Sequence, residues 1–446
     1  MTTLTLQLKF YPGTQNRMIV PQKYYKQLKS IQTIKYGINQ SYVECLSHHK
    51  DTQTLYISSN LKAKLNLAKH KTITMEFDQN MCTLLLYLGV FIAGFHSEQS
   101  LLGSRTDLFR RMSIIGNKLG FRTLFFGHQH ILSNESKVYA YYWNGFKWDQ
   151  AVFHIPSVVY NRIPNRKTEH HPNVMASKKE IESRAILFNH DFFNKWEIYE
   201  RLMKNNDCSY LLPETILHPS KRKIIDLLEK GPIYIKPIHG SRGTGIVKCT
   251  KRESGEIECH YYHRDHAQIN RYTNPNSLFH QLFPNGLKGF VVQKEIDLLK
   301  KDNSAIDFRI HVNKNEKNTW EVTLLCAKFA GKGSLTTHVQ RGGSIHTIDE
   351  LFSPEKTKRI EEKLSKTALK LSQAIDKEVN NPIGEIGFDL GIDAEGKVWL
   401  FEANAKPGFS VFLHPTLNEQ AEKVFTFPYK YAFYLHNLRM NKKDYE

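Results

Sequence analysis

The chain has 446 residues, which is long enough for about two to three domains, and its 40% apolar and 12% aromatic residues are sufficient for buried cores. Its formal net charge of +18 is strongly basic and favours acidic partners such as nucleic acid, anionic lipid, acidic peptides or polyphosphates. Because the lysines are scattered and form no blocks, a nucleic-acid-binding protein is only a distant alternative.

The six cysteines and the apolar runs predict a cytosolic protein without a membrane span. The cysteines are dispersed with no Cys-x-x-Cys motif, so we expect six free thiols in a reducing compartment, although Cys249 and Cys259 could meet across two strands. The N-terminus has no signal-peptide pattern. The apolar run from Leu84 to Phe95 is too short to cross a bilayer and predicts a buried strand followed by a turn.

The first 184 residues predict a β-rich module at 1–80 and an α/β domain at 81–184. The module contains alternating segments at 3–10, 54–58 and 72–75, which indicate strands. In the α/β domain we expect an apolar strand, a helix at 106–119 and strands at 122–126 and 137–142. We interpret the polar segment 165–182 as a linker or mobile loop. Arg162, just before it, could reach a central cleft or be a structural arginine at a domain junction.

The segment 232–249 predicts a flap that closes over phosphates. A short β-branched strand ends in Lys236-Pro237 and is followed by a glycine-rich loop and a second strand. Backbone N–H groups of such loops can wrap a phosphate. This loop joins strand to strand, whereas a P-loop or a dinucleotide fingerprint opens a helix. Lys236 would then point towards the phosphates; the alternative is a plain tight hairpin.

Two later segments predict a half-buried strand and a surface helix. In the strand 304–312, Asp307 and Arg309 share one face and alternate with apolar residues on the other. These two residues could contact a ribose hydroxyl and a phosphate, or form a cross-strand ion pair, which is the commoner arrangement. The Lys- and Glu-rich segment 354–379 indicates a helix that packs on a sheet. Its apolar positions are Ile360, Leu364, Leu369 and Ile375.

The segment 387–404 is the most informative and predicts a β-hairpin with its turn at Asp393–Gly396. If Ile392 pairs with Lys397, Asp389 lies diagonal to Glu402, on one face with Asn404 and several glycines. Carboxylates this close repel each other unless a cation joins them, and such oxygen ligands suit Mg²⁺. The alternative is the solvated face of an ordinary hairpin. The opposite, apolar face is predicted to carry Phe388, Leu390, Ile392, Trp399 and Phe401.

Taken in order, these segments resemble the ATP-grasp fold over roughly residues 185 to 415. The resemblance rests on the lysine strand with its glycine-rich flap, a hinge at 289–297, the Asp-x-Arg strand, and Asp followed by Glu-x-Asn. A narrower similarity, to the endospore coat-associated ATP-grasp proteins of the YheC/YheD type, runs over nearly the whole chain. It is carried by 159–163, 194–199 and 212–215.

The resemblance implies an α/β (α+β) architecture in which the β-rich module and a preceding α/β domain lead into an ATP-grasp domain at 185–446. Its flap subdomain would cover about 195–292 and its metal-binding subdomain about 293–446. The cofactors implied are ATP and Mg²⁺, as one or two ions, with Mn²⁺ as an alternative. The metal ligands implied are Asp389, Glu402 and Asn404.

The resemblance also implies roles for further residues. Lys195 and Lys236 would bind ATP phosphates, Asp307 would meet the ribose, and Arg309 and Arg341 are the candidate catalytic residues. The glycine-rich loop would cover the phosphates with Gly240, Ser241, Gly243 and Gly245. The hinge would contact adenine, partly through its backbone, with Gln293, Lys294, Glu295 and Ile296.

The activity implied is carboxylate–amine ligation through an acyl phosphate. Its substrates would be small-molecule or peptide carboxylates and amines, with spore coat proteins among the candidate partners and the cytoplasm or the spore as location. Thr336 and His338 stand where related ligases carry an Arg and an Asn before the Arg-Gly-Gly turn. Two alternatives therefore stay open: a nucleotide-binding assembly protein without turnover, and a phosphotransferase. Neither the acceptor nor the oligomeric state follows from the sequence.

Overall fold

The computed structural model describes residues 2–50, 52–96, 101–133, 135–238, 245–263, 266–302, 304–329, 343–409 and 414–442. Within these residues, the strands form four sheets of eight, seven, six and six strands, and helices pack against them. The mixed α/β architecture predicted from the sequence is confirmed.

The first sheet is formed by the N-terminal 84 residues, and all three alternating segments predicted there are strands. The elements are β1 (Thr2–Tyr11), β2 (Arg17–Pro21), α1 (Gln22–Leu28), β3 (Thr33–Tyr36), β4 (Asn39–Tyr42), β5 (Glu44–His48), β6 (Thr54–Ser58), α2 (Ser59–Leu65), β7 (Thr72–Asp78) and β8 (Met81–Leu84). The strand order is β4-β3-β8-β7-β1-β6-β2-β5, with β1 parallel to β6 and antiparallel to β7.

The second sheet has a parallel centre. Its elements are β9 (Leu86–Phe91), α3 (Thr106–Lys118), β10 (Phe121–Phe126), β11 (Ile131–Leu132), β12 (Lys137–Trp143), β13 (Trp148–His154), β14 (Val158–Asn161) and β15 (Ile186–Phe188). The parallel strands lie in the order β10-β9-β14-β15. The residues that follow β9 and β14 therefore meet at one edge, where the Arg162 N–H donates to the Phe91 carbonyl at 2.8 Å.

The predicted linker at 165–182 is wrong, because most of this segment is helical. Helix α4 (Arg166–Glu169) is capped by the Asn165 side chain, and α5 (Pro172–Glu182) begins with a proline at its first position. Helix α5 packs through four buried residues with helical spacing, Val174, Ser177, Lys178 and Ile181. A face that combines two apolar residues with a serine and a lysine gives little hydrophobic signal, which is why the segment resembles a polar loop.

The third sheet follows α6 (Lys195–Met203) and carries the flap. Its elements are β16 (Thr215–Leu217), α7 (Lys221–Leu228), β17 (Ile233–Pro237), β18 (Val247–Lys251), β19 (Ile257–His263), β20 (His266–Tyr272), α8 (Pro275–Leu282) and β21 (Phe290–Lys294). The strand order is β16-β21-β17-β18-β19-β20. Strands β17 and β18 pair antiparallel, as predicted for a loop that joins strand to strand.

The fourth sheet carries the predicted Asp-x-Arg strand and the acidic hairpin. Its elements are β22 (Lys300–Lys301), β23 (Ser304–Lys314), β24 (Trp320–Phe329), β25 (Ser344–His346), α9 (Pro354–Glu378), β26 (Glu385–Ile392) and β27 (Val398–Asn404). The order is β25-β24-β23-β26-β27, and β22 pairs with β23. Helix α9 packs on this sheet as predicted, with Ile360, Leu364 and Ile375 buried and Leu369 half-buried.

The last helix, α10 (Asn418–Lys442), lies in the hydrophobic core of the first two sheets and also packs on the fourth sheet, where the Leu325 N–H donates to Gln420 Oε1 at 2.9 Å. The buried Tyr429 hydroxyl donates to the Met112 carbonyl of α3 at 2.9 Å. The His436 and His70 rings stack with centroids 5.1 Å apart. Helix α10 therefore fixes the N-terminal modules to the rest of the chain. Among the helices of the described ranges, none is long and apolar enough to cross a membrane.

Candidate functional site

The hairpin β26–β27 brings the three predicted metal ligands onto one face. Asp389 lies directly opposite Glu402, and Asn404 lies opposite Gly387. The predicted register is wrong, because Ile392 pairs with Val398 and not with Lys397. The pairs then shift by one residue, which places Asp389 and Glu402 in direct opposition and not on a diagonal.

Because of this shift, the predicted apolar face of the hairpin is partly wrong. Val398 and Leu400 occupy the core positions that were assigned to Trp399 and Phe401. Phe401 is the extra residue between the pairs of Leu400 and Glu402, so the alternation of faces reverses there. Its ring lies over Gly391, where an added Cβ would be only 2.6 Å from it. The core face carries Phe388, Leu390, Ile392, Val398 and Leu400.

Asp389 is held by two cations from the neighbouring strands. Arg309 of β23 donates to both of its oxygens, from Nε and Nη2, each at 3.0 Å. Lys328 of β24 donates from Nζ to Oδ1 at 2.7 Å, and its Nζ lies 3.0 Å from Asp307 Oδ1. Arg309 therefore forms the cross-strand ion pair that the sequence left open as an alternative. The four side chains are only 7–14% exposed.

The charges of this group compensate one another. Burial acts to lower the pKa of Arg309 and of Lys328, but the adjacent carboxylates more than offset it, so both pKa values are raised. Both cations are thus firmly charged. We call the group Arg309, Lys328, Asp307 and Asp389 the sheet-side cluster.

Two further lysines approach the hairpin from the flap side. Lys195 is the first residue of α6, which begins there because the Asn194 side chain caps the helix. The Lys195 Nζ lies 3.2 Å from Glu402 Oε1. On β17, the Lys236 Nζ donates to Gln293 Oε1 at 2.5 Å, and the Gln293 amide donates onward to Thr215. The two predicted phosphate lysines and Glu402 therefore belong to one neighbourhood.

Lys236 differs from the other cations in having a neutral partner. Among the described residues, no carboxylate lies within 4.0 Å of its ammonium, although the residue as a whole is half-buried. Burial and then repulsion from Lys195 lower the pKa of Lys236 to about 8, with Glu402 opposing the shift. An anion placed beside this ammonium would therefore be strongly favoured.

The predicted hinge lies at the end of β21, and its residues border the strands of the predicted flap. Lys294 is exposed, and its backbone N–H donates to the Glu214 carbonyl at 3.1 Å. Glu295 is half-buried and accepts from Lys248 Nζ at 2.6 Å and from the Tyr234 hydroxyl at 3.3 Å. Ile296 follows and is half-buried. The hinge therefore borders the same strands, β17 and β18, that carry the flap.

Several predicted site residues lie outside the described residues: Gly240, Ser241, Gly243 and Arg341, with Thr336 and His338. Gly245, at the end of the flap loop, is described. It has φ +75°, and an added Cβ would lie 3.2 Å from Pro237 Cγ, so a larger residue there would be strained and crowded.

Sequence reasoning missed Lys328, which joins the two aspartates. The only signal was a lysine in the otherwise apolar run 324–329, because a charge inside a buried strand must find a partner. Arg162 is 7% exposed; it donates to Glu385 Oε2 at 3.2 Å and to the Pro407 carbonyl at 3.0 Å. These contacts join β14 to β26 and to the segment after β27, which fits the structural alternative for this arginine.

The donor set of the hairpin fits a hard divalent cation. Asp389 and Glu402 are directly opposed and Asn404 is next along the same face, which offers carboxylate and amide oxygens. Among the described residues, no group of three or more His, Cys, Asp or Glu residues could hold a metal by itself. Two carboxylates and one amide thus suit an ion that takes its other ligands from water and phosphate, as Mg²⁺ does.

Comparisons with known proteins identify the family of the chain. Residues 184–435 match the family model of the YheC/D-like ATP-grasp domain. The endospore coat-associated protein YheD of Bacillus subtilis (strain 168) is 32% identical over 389 residues, which cover 86% of each chain. The endospore coat-associated protein YheC of the same strain is 24% identical over 313 residues, 66% of this chain and 82% of YheC.

Among solved structures, D-alanyl-alanine synthetase A from Vibrio cholerae O1 biovar eltor str. N16961 is 11% identical, with a TM-score of 0.46 over 79% of this chain and 99% of that chain. The family predicted from the sequence is confirmed by the family model and by the similarity to YheD. The chain belongs to the YheC/D-like ATP-grasp family.

Proposed function

We propose that the protein is an ATP- and Mg²⁺-dependent ligase that joins a carboxylate to an amine through an acyl phosphate. The observation that carries the proposal is the direct opposition of Asp389 and Glu402 in the neighbourhood of Lys236, a cation that lacks a carboxylate partner among the described residues. Such a site offers metal ligands on one side and a phosphate-binding ammonium on the other. Membership of an ATP-grasp family supports the choice of ATP as the anion.

The residues would divide the work as follows. Lys195 and Lys236 would bind the phosphates of ATP, together with Gly240, Ser241, Gly243 and Gly245 of the glycine-rich loop. Asp389, Glu402 and Asn404 hold Mg²⁺, which when bound neutralises charge on the phosphates. Arg309, next to Asp389, and Arg341 stabilise charge on the transferred phosphoryl group. Gln293, Lys294, Glu295 and Ile296 border the adenine, and Asp307 meets the ribose.

The reaction would consist of two steps. The γ-phosphoryl group passes to the substrate carboxylate, which gives an acyl phosphate and ADP. The amine then attacks the carbonyl carbon; phosphate leaves, the amide bond forms, and the amine gives up its proton to solvent. Nothing in this chemistry requires a covalent bond to the protein, so the side chains act by position and by charge.

A nucleotide-binding assembly protein without turnover is the second candidate. It is favoured by Thr336 and His338, which replace the Arg and Asn of related ligases. It is also favoured by the names of YheD and YheC, which associate those proteins with the endospore coat. In this case, spore coat proteins would be the partners. An ATP-grasp phosphotransferase, with a hydroxyl or phosphate as acceptor, would use the same nucleotide site.

A combination of binding and turnover measurements tests the proposal. Titration calorimetry should detect ATP binding that depends on Mg²⁺, and incubation with panels of carboxylates and amines should release ADP and give a product of the mass of the amide. No binding at about 1 mM ATP would refute any nucleotide function. Binding without ADP release from any acceptor would favour the assembly protein, and a phosphorylated product would favour the phosphotransferase.

A further inference from the structure

Two cysteines of the third sheet face each other across adjacent strands. Cys249 of β18 is the direct partner of Cys259 of the antiparallel β19. Their Sγ atoms are 3.1 Å apart, and both residues are fully buried, with 0% exposure. The pair lies in the hydrophobic core of the third sheet, near Ile235, Val247 and Ile257.

The other cysteines are arranged differently. Cys45, Cys82, Cys208 and Cys326 are also free and buried, but no other two sulfurs among the six lie at hydrogen-bond distance. The contact is therefore specific to the flap. Directly opposed residues of antiparallel strands have Cα atoms about 4.5–5.5 Å apart, within the range that a disulfide spans. The backbone thus has no need to move for the two sulfurs to bond.

We propose that Cys249 and Cys259 form a modification site at which a peroxide converts the two thiols into a cross-strand disulfide. One thiolate attacks a peroxide oxygen; the O–O bond breaks, and a sulfenic acid and water result. The second thiolate then displaces the sulfenic hydroxyl as a second water, and the S–S bond forms. The two thiols lose two electrons and two protons, and the peroxide takes up both.

Local opening of the strands β19 and β20 controls this oxidation. The hydrogen bond with Cys259, and then burial, hold the pKa of the Cys249 thiol well above its usual value, so little thiolate exists while the strands are closed. Strand β20 covers β19 as an edge strand and is exposed along most of its length. Local opening of β19 and β20 therefore admits the oxidant, and formation of the bond prevents β18 and β19 from separating afterwards.

The bond would reach the proposed nucleotide site through β18. This strand begins just after the flap loop, and Lys248, next to Cys249, pairs with Glu295 of the hinge at 2.6 Å. Locking Cys249 to Cys259 thus fixes the strand that connects the loop with the hinge. This consequence rests on the proposed function, whereas formation of the disulfide does not.

Peptide mapping of the full chain tests the modification. After treatment with hydrogen peroxide we expect the mass of the intact chain to fall by about 2 Da, and subsequent alkylation under denaturing conditions should label four of the six thiols. Trypsin cuts between the cysteines at Lys251 and Arg252, so the disulfide is detected as two linked peptides that dithiothreitol separates. Cys208→Ala, another buried single cysteine, should keep the link, and Cys259→Ala should abolish it.

Three results would overturn the proposal. These are retention of six thiols, links through other cysteines, and an equal loss of thiols in Cys259→Ala. If that variant does not fold, peptide mapping of the unaltered chain still shows whether the Cys249–Cys259 disulfide forms. The mechanical effect has its own test, because amide exchange in β18 and β19 should be slower in the oxidised protein, and equal exchange would contradict it. A reduced protein that binds no ATP would refute the proposed function and leave the disulfide result intact.

Discussion

Two lysines on opposite sides of the proposed cleft, the buried Lys328 and the half-buried Lys236, have opposite electrostatic environments. Lys328, on the sheet side, contacts Asp307 and Asp389, and its pKa is raised. Lys236, on the flap side, has Gln293 as its partner and Lys195 as a neighbour, and its pKa is lowered to about 8. The side chains are of the same type, so their partners account for the difference in sign.

The two sides of the proposed cleft also differ in charge balance: the charges of the sheet side are balanced without a ligand, and those of the flap side are not. The sheet-side cluster contains two cations and two carboxylates that satisfy each other, so it holds the hairpin in place. On the flap side, Lys195 pairs with Glu402, whereas Lys236 has no carboxylate within 4.0 Å among the described residues, which leaves one positive charge of the two lysines uncompensated there. A triphosphate would supply the missing negative charge. We therefore expect substitutions on the flap side to affect mainly binding and those on the sheet side to affect folding, with Asp389, a proposed Mg²⁺ ligand, affecting both.

The largest effect should follow from Asp389→Asn. The substitution leaves Lys328 paired with Asp307 and removes the carboxylate that Arg309 contacts, and breaking a buried ion pair in this way typically costs about 3–5 kcal/mol. Denaturant unfolding monitored by circular dichroism measures the change. Asp297→Asn is the matched control, because the Asp297–Lys300 pair is exposed and such pairs contribute about 0–1 kcal/mol. Equal changes in the two variants would refute the stabilising role of the sheet-side cluster.

The second effect concerns affinity. Lys236→Ala should weaken ATP binding roughly ten- to a hundredfold, since a charge-assisted contact is worth about 1.5–3 kcal/mol. Adenosine binding should change far less, because the ammonium would meet phosphate and not base or sugar. Calorimetric titration with both ligands measures the ratio. Lys397→Ala is the control for scattered surface charge, as the Lys397 ammonium lies over the Trp399 ring at the hairpin turn. Equal losses for ATP and adenosine would mean that Lys236 acts through folding of the flap.

The hairpin shows how far the sequence could predict this site. The residue types and their order were sufficient to bring Asp389, Glu402 and Asn404 together, because alternation in strands is a local property. The predicted pairing failed in two places: at the turn, where Ile392 pairs with Val398, and at Phe401, which nothing local marks as the extra residue of a bulge. Direct opposition of the two carboxylates depends on that bulge.

The cation network could not be predicted in the same way. Lys328 meets Asp307 and Asp389 because β23 lies between β24 and β26, and that strand order depends on long-range pairing. The helix α5 was missed because its buried face includes Lys178, which is neutralised by Asp191 and Glu169 from other elements. In both cases, a lysine that is read as solvated is in fact buried beside acids from other elements.

The third effect is a dependence of ATP affinity on pH. ATP should prefer the protonated ammonium of Lys236, whose pKa in the free protein is about 8. Affinity should therefore be constant below that pH and fall above it, by at most about tenfold per pH unit. Titrations from roughly pH 7 to 10 measure the slope. In Lys236→Arg the guanidinium stays charged, so the affinity should be level over this range, and a slope as steep as in the unaltered protein would assign the proton to another group.

The smallest effect on stability, and the sharpest separation of folding from function, should come from Glu402→Gln. Glu402 is 27% exposed, its cation Lys195 is 34% exposed, and partly exposed pairs of this kind contribute about 0–1 kcal/mol. The substitution also relieves repulsion between Glu402 and the directly opposed Asp389. Mg²⁺-dependent turnover should nevertheless be lost, because one of two carboxylate ligands is replaced by a neutral amide. Unfolding midpoints and ADP release are measured on the same preparation. Unchanged turnover would contradict the metal assignment. A loss of stability as large as that of Asp389→Asn would place Glu402 among the structural charges.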